Sequence, residues 1–165
     1  MKQRINVFLL MRAGSERVPN KNTKTFSGVQ GGLCKIKLEQ LIKCSLIDSI
    51  VVSTNDPEVV KIANIFNSKK IRVIIRPDEL ASSSSSTDDL IKYVPEVMPD
   101  GHILWTHVTS PFISSEVYGQ IIERYLEKLE DVDSIMTVTK HQKVIWKDSE
   151  TVNYKRNLEK RILSQ

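Results

Sequence analysis

Short β-branched runs alternate with amphipathic segments along most of the chain, and this restricts the available folds more than any other feature. Residues 5–11 form a nearly continuous apolar run, as in a strand covered on both faces. Residues 49–54, 72–76, 102–108 and 133–139 repeat the strand signature, giving five expected strands. Between them, residues 33–46 place Leu33, Ile36, Leu41, Ile42 and Ser45 near helical spacing, with Leu38 and Leu46 widening the stripe. Asp56 is positioned to cap a second helix with Pro57 at its first position and Val59, Val60, Ala63 and Phe66 inward. The serine run 82–86 leads through Thr87, Asp88 and Asp89 into a third helix, whose first-turn acids suit the helix dipole. Ser114 or Ser115 starts a fourth, with Val117, Ile121, Ile122, Tyr125, Leu126 and Leu129 on one side. Such alternation implies right-handed crossovers and a Rossmann-like, three-layer α/β/α fold around a mostly parallel sheet. Ligands of such sheets sit beyond the carboxyl ends of the strands. The loops to inspect are therefore residues 12–22, 53–56, 76–87 and 107–111.

Charge excludes one class of partner. Residues 1–139 hold 17 Lys and Arg against 17 Asp and Glu, so this body is neutral. The net charge of +4 comes from the last 26 residues, where Lys140, Lys143, Lys147, Lys155, Arg156, Lys160 and Arg161 face Asp148, Glu150 and Glu159. A nucleic-acid face spread over the body is not expected. The longest apolar run, residues 7–11, is too short to span a bilayer, so neither a membrane nor a signal peptide is expected and the location expected is cytoplasmic. Cys34 and Cys44 read as reduced core thiols.

The loop after the first strand carries the chemistry: Arg12-Ala13-Gly14-Ser15-Glu16-Arg17-Val18-Pro19-Asn20-Lys21-Asn22. Gly14 permits positive φ and close backbone approach, so successive N–H groups can point at phosphate oxygens. Arg12, Arg17 and Lys21 bring three cations, matched to a polyphosphate and to the charge that moves onto a leaving pyrophosphate. The loop is neither a Walker A sequence nor a GxGxxG.

This segment resembles the signature of the acylneuraminate cytidylyltransferase family, Arg-x-Gly-Ser-x-x-x-Pro-x-Lys-Asn. Ser53-Thr54-Asn55-Asp56 is similar to the family's Ser-Thr-Asp-Asp, Arg76-Pro77-Asp78-Glu79-Leu80-Ala81 to its Arg-Pro-x-x-Leu-Ala, and Thr109-Ser110-Pro111 to its Thr-Ser-Pro. The likeness covers about residues 4–140 and implies a fold of the nucleotide-diphospho-sugar transferase type. It also implies that CTP and Mg²⁺ activate a sialic-acid-like 2-keto sugar acid, giving a CMP-sugar and pyrophosphate. Arg12, Gly14, Ser15, Arg17 and Lys21 would hold the triphosphate, Lys21 and Arg12 as catalytic residues. Asn22 and Arg76 would recognise cytidine, with Ser86 or Thr87 near the nucleotide and Ser110 on the loop after the fourth strand.

The sequence departs from the family where His107-Val108 replaces a Gln-Pro pair before Thr-Ser-Pro; His107 can still hydrogen-bond, but titrates near neutrality. The resemblance implies metal-holding carboxylates in a later part of the family's length, and makes residues 140–165 the start of a basic sugar-binding and homodimerisation insert beyond a nucleotide-binding domain at 1–139. No zinc site is expected, since His102 and His107 point to opposite faces of a strand and His141 lacks a partner at ligand spacing. Asp131 and Asp133 have DxD spacing but precede a strand, at the wrong edge of the sheet. Two other readings stand: a CTP-binding module without catalysis, and a sugar-1-phosphate nucleotidylyltransferase, although the fourth strand lacks the latter's terminal Asp.

Overall fold

The computed structural model describes residues 3–82, 85–140, 145–148 and 150–152. The chain divides into two compact units, Met1–Lys128 and Leu129–Gln165. The first contains β1 (Ile5–Met11), α1 (Gly32–Lys43), β2 (Ser49–Thr54), α2 (Pro57–Ile65), β3 (Ile71–Ile75), α3 (Asp78–Ala81), α4 (Thr87–Val97), β4 (His102–His107) and α5 (Ser115–Leu126). Its four strands pair in parallel in the order β3-β2-β1-β4.

Because successive strand residues face opposite ways, the two faces can be read off β1. Ile5, Val7, Leu9 and Met11 join Leu33, Cys34, Leu38 and Leu41 of α1, Val59 and Ala63 of α2, and Tyr118 and Ile122 of α5 in the main core. Phe8 points the other way, into a smaller cluster with Val51 and Val94, against which Leu10, Ile74, Tyr93, Val97 and Trp105 pack. Phe8 meets Trp105 edge-to-face at 5.2 Å between ring centroids. Cys34 and Cys44 are buried free thiols. Burial, helped by the charge of Asp56, pushes Cys34 up to about 12, so it behaves as an apolar core atom.

From β1 through β3 the chain winds outward on the α1 and α2 side. It then crosses the opposite face through α4 and re-enters the sheet as β4 on the far side of β1. The winding direction thus reverses between β1 and β4, and their carboxyl ends open the crevice in which such sheets bind ligands. Helix starts follow the expected chemistry. Asp56 accepts from Glu58 N and Pro57 opens α2; Ser86 and Asp89 form a capping box on α4; Ser114 accepts from Val117 N at α5.

Four expectations need correction. On α1 the expected Leu33, Leu38 and Leu41 are buried, but Cys34 and Lys37 complete the inner stripe, while Ile36 and Ile42 are half-buried and Ser45 is exposed past the helix end. On α5 the buried positions are Tyr118 and Ile122, while Val117 is exposed. The serine run is preceded by an extra single turn, α3. Residues 133–139 form no strand and are exposed throughout, since a β-branched run becomes a strand only where another edge pairs with it. The first compact unit ends at Lys128, after α5. In the second unit, β5 (Trp146–Lys147) and β6 (Glu150–Thr151) make a small antiparallel pair. His141, Lys143, Lys155, Arg156, Glu159, Lys160 and Arg161 lie outside the described residues. Among the described residues no helix is long and apolar enough to cross a membrane.

One contact ties the first loop to the body. Gly32, at φ +53°, opens α1 so close to the loop that an added Cβ would lie 2.0 Å from the Lys24 carbonyl oxygen. Gly32→Ala is expected to lose about 3 kcal/mol of stability, read as a lower urea midpoint at unchanged slope. An unaltered midpoint would show that the loop yields freely.

Candidate active site

The parallel sheet brings the loops after all four strands to one edge. The long loop after β1 is shaped chiefly by its own backbone. Gly14 has φ +70° and Asn20 φ +53°, both left-handed. Lys21 N donates to Val18 O at 3.2 Å and Lys24 N to Asn20 O at 2.8 Å, coiling the Pro19–Lys24 region into successive turns. Nothing lies within 4 Å of the position a Gly14 Cβ would take, so the positive φ, not crowding, calls for glycine there.

Asn22 joins the two ends of this loop. Its Nδ2 donates to Arg12 O at 3.0 Å, and its backbone carbonyl accepts from Cys34 N, in the first turn of α1, at 2.8 Å. The residue is 6 % exposed, so this amide acts first as a staple, with little surface left for a nucleobase. Sequence reasoning missed a second staple. Asn55 Oδ1 accepts from Ala13 N at 2.9 Å and links the loops after β1 and β2. The Ser-Thr-Asn-Asp match was the available signal, since a short amide at a strand end commonly bonds neighbouring backbone.

Arg76 follows β3 and is 4 % exposed. Its Nε donates to Ser53 Oγ at 3.1 Å and its Nη2 to Ser53 O at 2.5 Å. Burial lowers its affinity for a proton, the Tyr93 hydroxyl opposes that effect, and the nearby Arg12 guanidinium lowers it further. Arg12 and Arg76 thus form a like-charged pair, which an anion between them would relieve. His107 ends β4, opposite Leu10 of β1, which in turn lies opposite Ser53 of β2. Its ring lies tilted against Trp105 at 6.4 Å. What sheltering it has, followed by the Lys21 ammonium, holds the imidazole below its usual range.

The structure therefore gathers Arg12, Lys21, Asn22, Arg76 and His107 through contacts or charge coupling, with Gly14 and the half-buried Ser15 on the same loop. Ser110 lies just past His107, and its carbonyl is held from α1 by Lys37. Arg17 and Thr87 are exposed, and no hydrogen bond or ion pair among the described residues joins their side chains to this group. Ser86, beside Thr87, spends its hydroxyl on the Asp89 capping box, which holds the Asp89 carboxyl below its usual range. His102 is remote, at the other end of β4, bonded to Tyr125 Oη at 2.9 Å and Gln3 Oε1 at 2.6 Å. No group of three or more His, Cys, Asp or Glu among the described residues could hold a metal ion. What remains is a cationic, donor-rich edge suited to phosphate oxygens.

Two outcomes test this arrangement. Asn22→Ala and Asn22→Asp both remove the donor to Arg12 O and are expected to cost about 1–3 kcal/mol in urea unfolding. An Asn22→Asp variant as stable as the native protein would contradict the staple. A His107 held below its unfolded value favours the neutral ring in the folded state, so its contribution to stability is present above pH about 6.5 and is lost as pH falls through the folded value. His107→Asn is expected to flatten that part of the acid-side loss, and NMR titration of the ring should read a midpoint below 6.5.

Comparison with known proteins fits this geometry. The sequence profile of a family described as cytidylyltransferase matches residues 7–164. The chain is 23% identical over 121 residues to a pseudaminic acid cytidylyltransferase of Campylobacter jejuni, covering 70% of this chain and 50% of that protein. It is 26% identical over 147 residues to N-acylneuraminate cytidylyltransferase A of Danio rerio, covering 88% and 33%. The fold is similar to that of a CMP:2-keto-3-deoxy-manno-octonic acid synthetase complexed with CTP, at a TM-score of 0.59 and 19% identity over 76% of this chain and 48% of that one. It is also similar to a 4-diphosphocytidyl-2C-methyl-D-erythritol synthase of Anaerococcus prevotii, at 0.62 and 18% over 87% and 58%. The chain spans about half the length of the first curated relatives it matches. With a profile match across nearly its whole length and a cationic, glycine-bearing loop at the sheet's switch point, the chain belongs to the cytidylyltransferase family.

Proposed function

We propose that the protein activates a sialic-acid-like 2-keto sugar acid with CTP. The anomeric hydroxyl of the sugar attacks the α-phosphorus, the bond to the β,γ-diphosphate breaks, and a CMP-sugar, pyrophosphate and a proton result. The observation that carries this reading is the stapled loop after β1, which carries Gly14 and sets Arg12 near Arg76 and Lys21 near His107 at the reversal point of the sheet. The relatives named for pseudaminic and N-acylneuraminic acids supply the sugar-acid class.

In this reading the loop's N–H groups, Ser15 and Arg17 take phosphate oxygens. Lys21 and Arg12 stabilise the charge that grows on the departing diphosphate. Arg76 and Thr87 serve the nucleoside side, which Asn22 shapes from behind by holding the loop, with His107 and Ser110 on the neighbouring strand end and loop. Mg²⁺ belongs to the reading as a companion of the triphosphate, which Mg²⁺ commonly meets through phosphate oxygens and few protein carboxylates. The described residues do not form a site for it by themselves. Residues 140–165 are assigned to the start of a sugar-binding and homodimerisation insert, and the reaction to the cytoplasm, where buried reduced thiols are at home. A second reading is a CTP-binding module without turnover.

Pyrophosphate release from CTP and Mg²⁺, with N-acetylneuraminate or pseudaminate as acceptor, tests the first reading, and calorimetry with CTP separates the two. Binding without release selects the module; no binding overturns both. Where turnover is found, Lys21→Ala is expected to lower kcat/KM for CTP about hundredfold while the urea midpoint stays put. Unchanged turnover would remove Lys21 from the chemistry.

A further inference from the structure

Lys37 has no exposed surface, and no carboxylate among the described residues pairs with it. Its ammonium donates to the Ser110 carbonyl at 2.8 Å and to Tyr118 Oη at 2.8 Å, and lies 4.9 Å from the centroid of the same ring. Tyr118 Oη in turn lies 2.8 Å from Thr106 Oγ1 of β4. One turn along α1, Gln40 Nε2 donates to Pro111 O at 2.6 Å. Two successive carbonyls of the loop after β4 are therefore held by one helix, and the same helix takes the Asn22 carbonyl from the loop after β1. A methionine would fill the Lys37 position without desolvating a charge, so the core alone gives no reason for an amine there. What the amine adds is a strong donor aimed at the Ser110 carbonyl.

We propose that Lys37 is a positioning residue: from inside the core it fixes the Ser110 carbonyl, and so sets where residues 107–111 stand at the ligand edge of the sheet. Its effect on CTP rests on the reading of that edge given above; its hold on the loop does not.

The hold depends on charge. Burial pushes Lys37 down to about 8. The titratable groups around it are Tyr118 from α5 and Cys34 one turn earlier on α1, and burial raises both, so they stay neutral through this range. β1 turns apolar side chains to this face; β4 turns Thr106 and, at its far end, His102, which is engaged with Tyr125 and Gln3. A lysine lowered in the folded state favours the neutral amine there, so folding stability gains as pH rises from about 8 toward its unfolded value. Over the same interval the ammonium becomes a weaker, uncharged donor and its grip on Ser110 loosens. Stability and loop anchoring thus move in opposite directions, which a purely structural lysine would not produce.

The test is millisecond hydrogen exchange on the nucleotide-free full chain at pH 7 and pH 9.5, reported as protection factors and referred to α2 as an internal standard. Protection over residues 108–114 is expected to fall about tenfold between the two pH values in the native protein. In Lys37→Met it should be low at both, with CTP affinity about tenfold weaker and the alkaline gain in stability gone. Native loop protection that does not change with pH relative to α2 overturns the proposal, as does native-like protection in a folded Lys37→Met. Should that variant not fold, the native pH comparison decides alone. A loop that follows the expected pattern in a protein that binds no CTP would sustain the positioning role and reject the nucleotide reading.

Discussion

Much of this site depends on one side-chain amide. By holding Arg12 O while its own backbone carbonyl takes the N–H of Cys34, Asn22 closes the loop after β1 onto the first turn of α1. A loop of this length would otherwise sample many shapes, and ordering it on ligand arrival would consume binding free energy. With Asn22 at one end and Asn55 holding Ala13 N at the other, the amide-lined turn at Gly14 is formed before any anion arrives. Preorganised donors of this kind act at full strength in a transition state because they need not reorient.

The electrostatics of the edge follow the same logic. Arg12 disfavours the charge on Arg76, and Lys21 disfavours a charge on His107, so the edge holds repulsions that an anion relieves. Arg76 is kept in place by Ser53, whose hydroxyl and carbonyl oxygen both accept from its guanidinium. Sheet chemistry makes this possible: Ser53 shares the α4 side of β2 with Val51, and its register opposite Leu10 sets it in the same row as His107. The polar row across the carboxyl end is thus a product of strand register as much as of composition.

The alternation of strands and helices was plain in the sequence, because each short apolar run is bounded by its own stop signal: Asn55-Asp56-Pro57 after β2, Pro77 after β3, Pro111 after β4. Caps were legible for the same reason at Asp56 and at Ser114 or Ser115, whereas the Ser86–Asp89 box was not read beyond its first-turn acids. The faces of α1 and α5 were legible only in part: Leu33, Leu38, Leu41 and Ile122 were, Lys37 and Tyr118 were not. Lys37 and Tyr118 bury polar groups against each other, and a pattern of apolar residues cannot show a core position filled by a lysine whose partners come from residues 106–118. Residues 133–139 misled in the opposite sense: their local preference is for a strand, but pairing is non-local and nothing in the run itself supplies an edge. The loop after β1 was recognisable from its residue types and spacing. The stapling of its ends was not, since Asn22 and Asn55 look alike as polar loop residues and differ only in which carbonyl or N–H the fold brings to them.

The two faces of the sheet are unequally covered. Against one lie α1, α2 and α5 over a large apolar cluster; against the other, α4 covers a smaller cluster in which Phe8, Val51 and Val94 are buried and their neighbours only partly so. The thin side is the one that carries Ser53, Arg76 and His107. Segments with few buried apolar contacts open at lower free energy than the global core. A departure of α4 from the sheet would therefore widen the crevice on that side while β1, α1 and the stapled loop stay folded. Opening of the crevice and retention of a rigid, donor-lined loop would then be served by different halves of one domain.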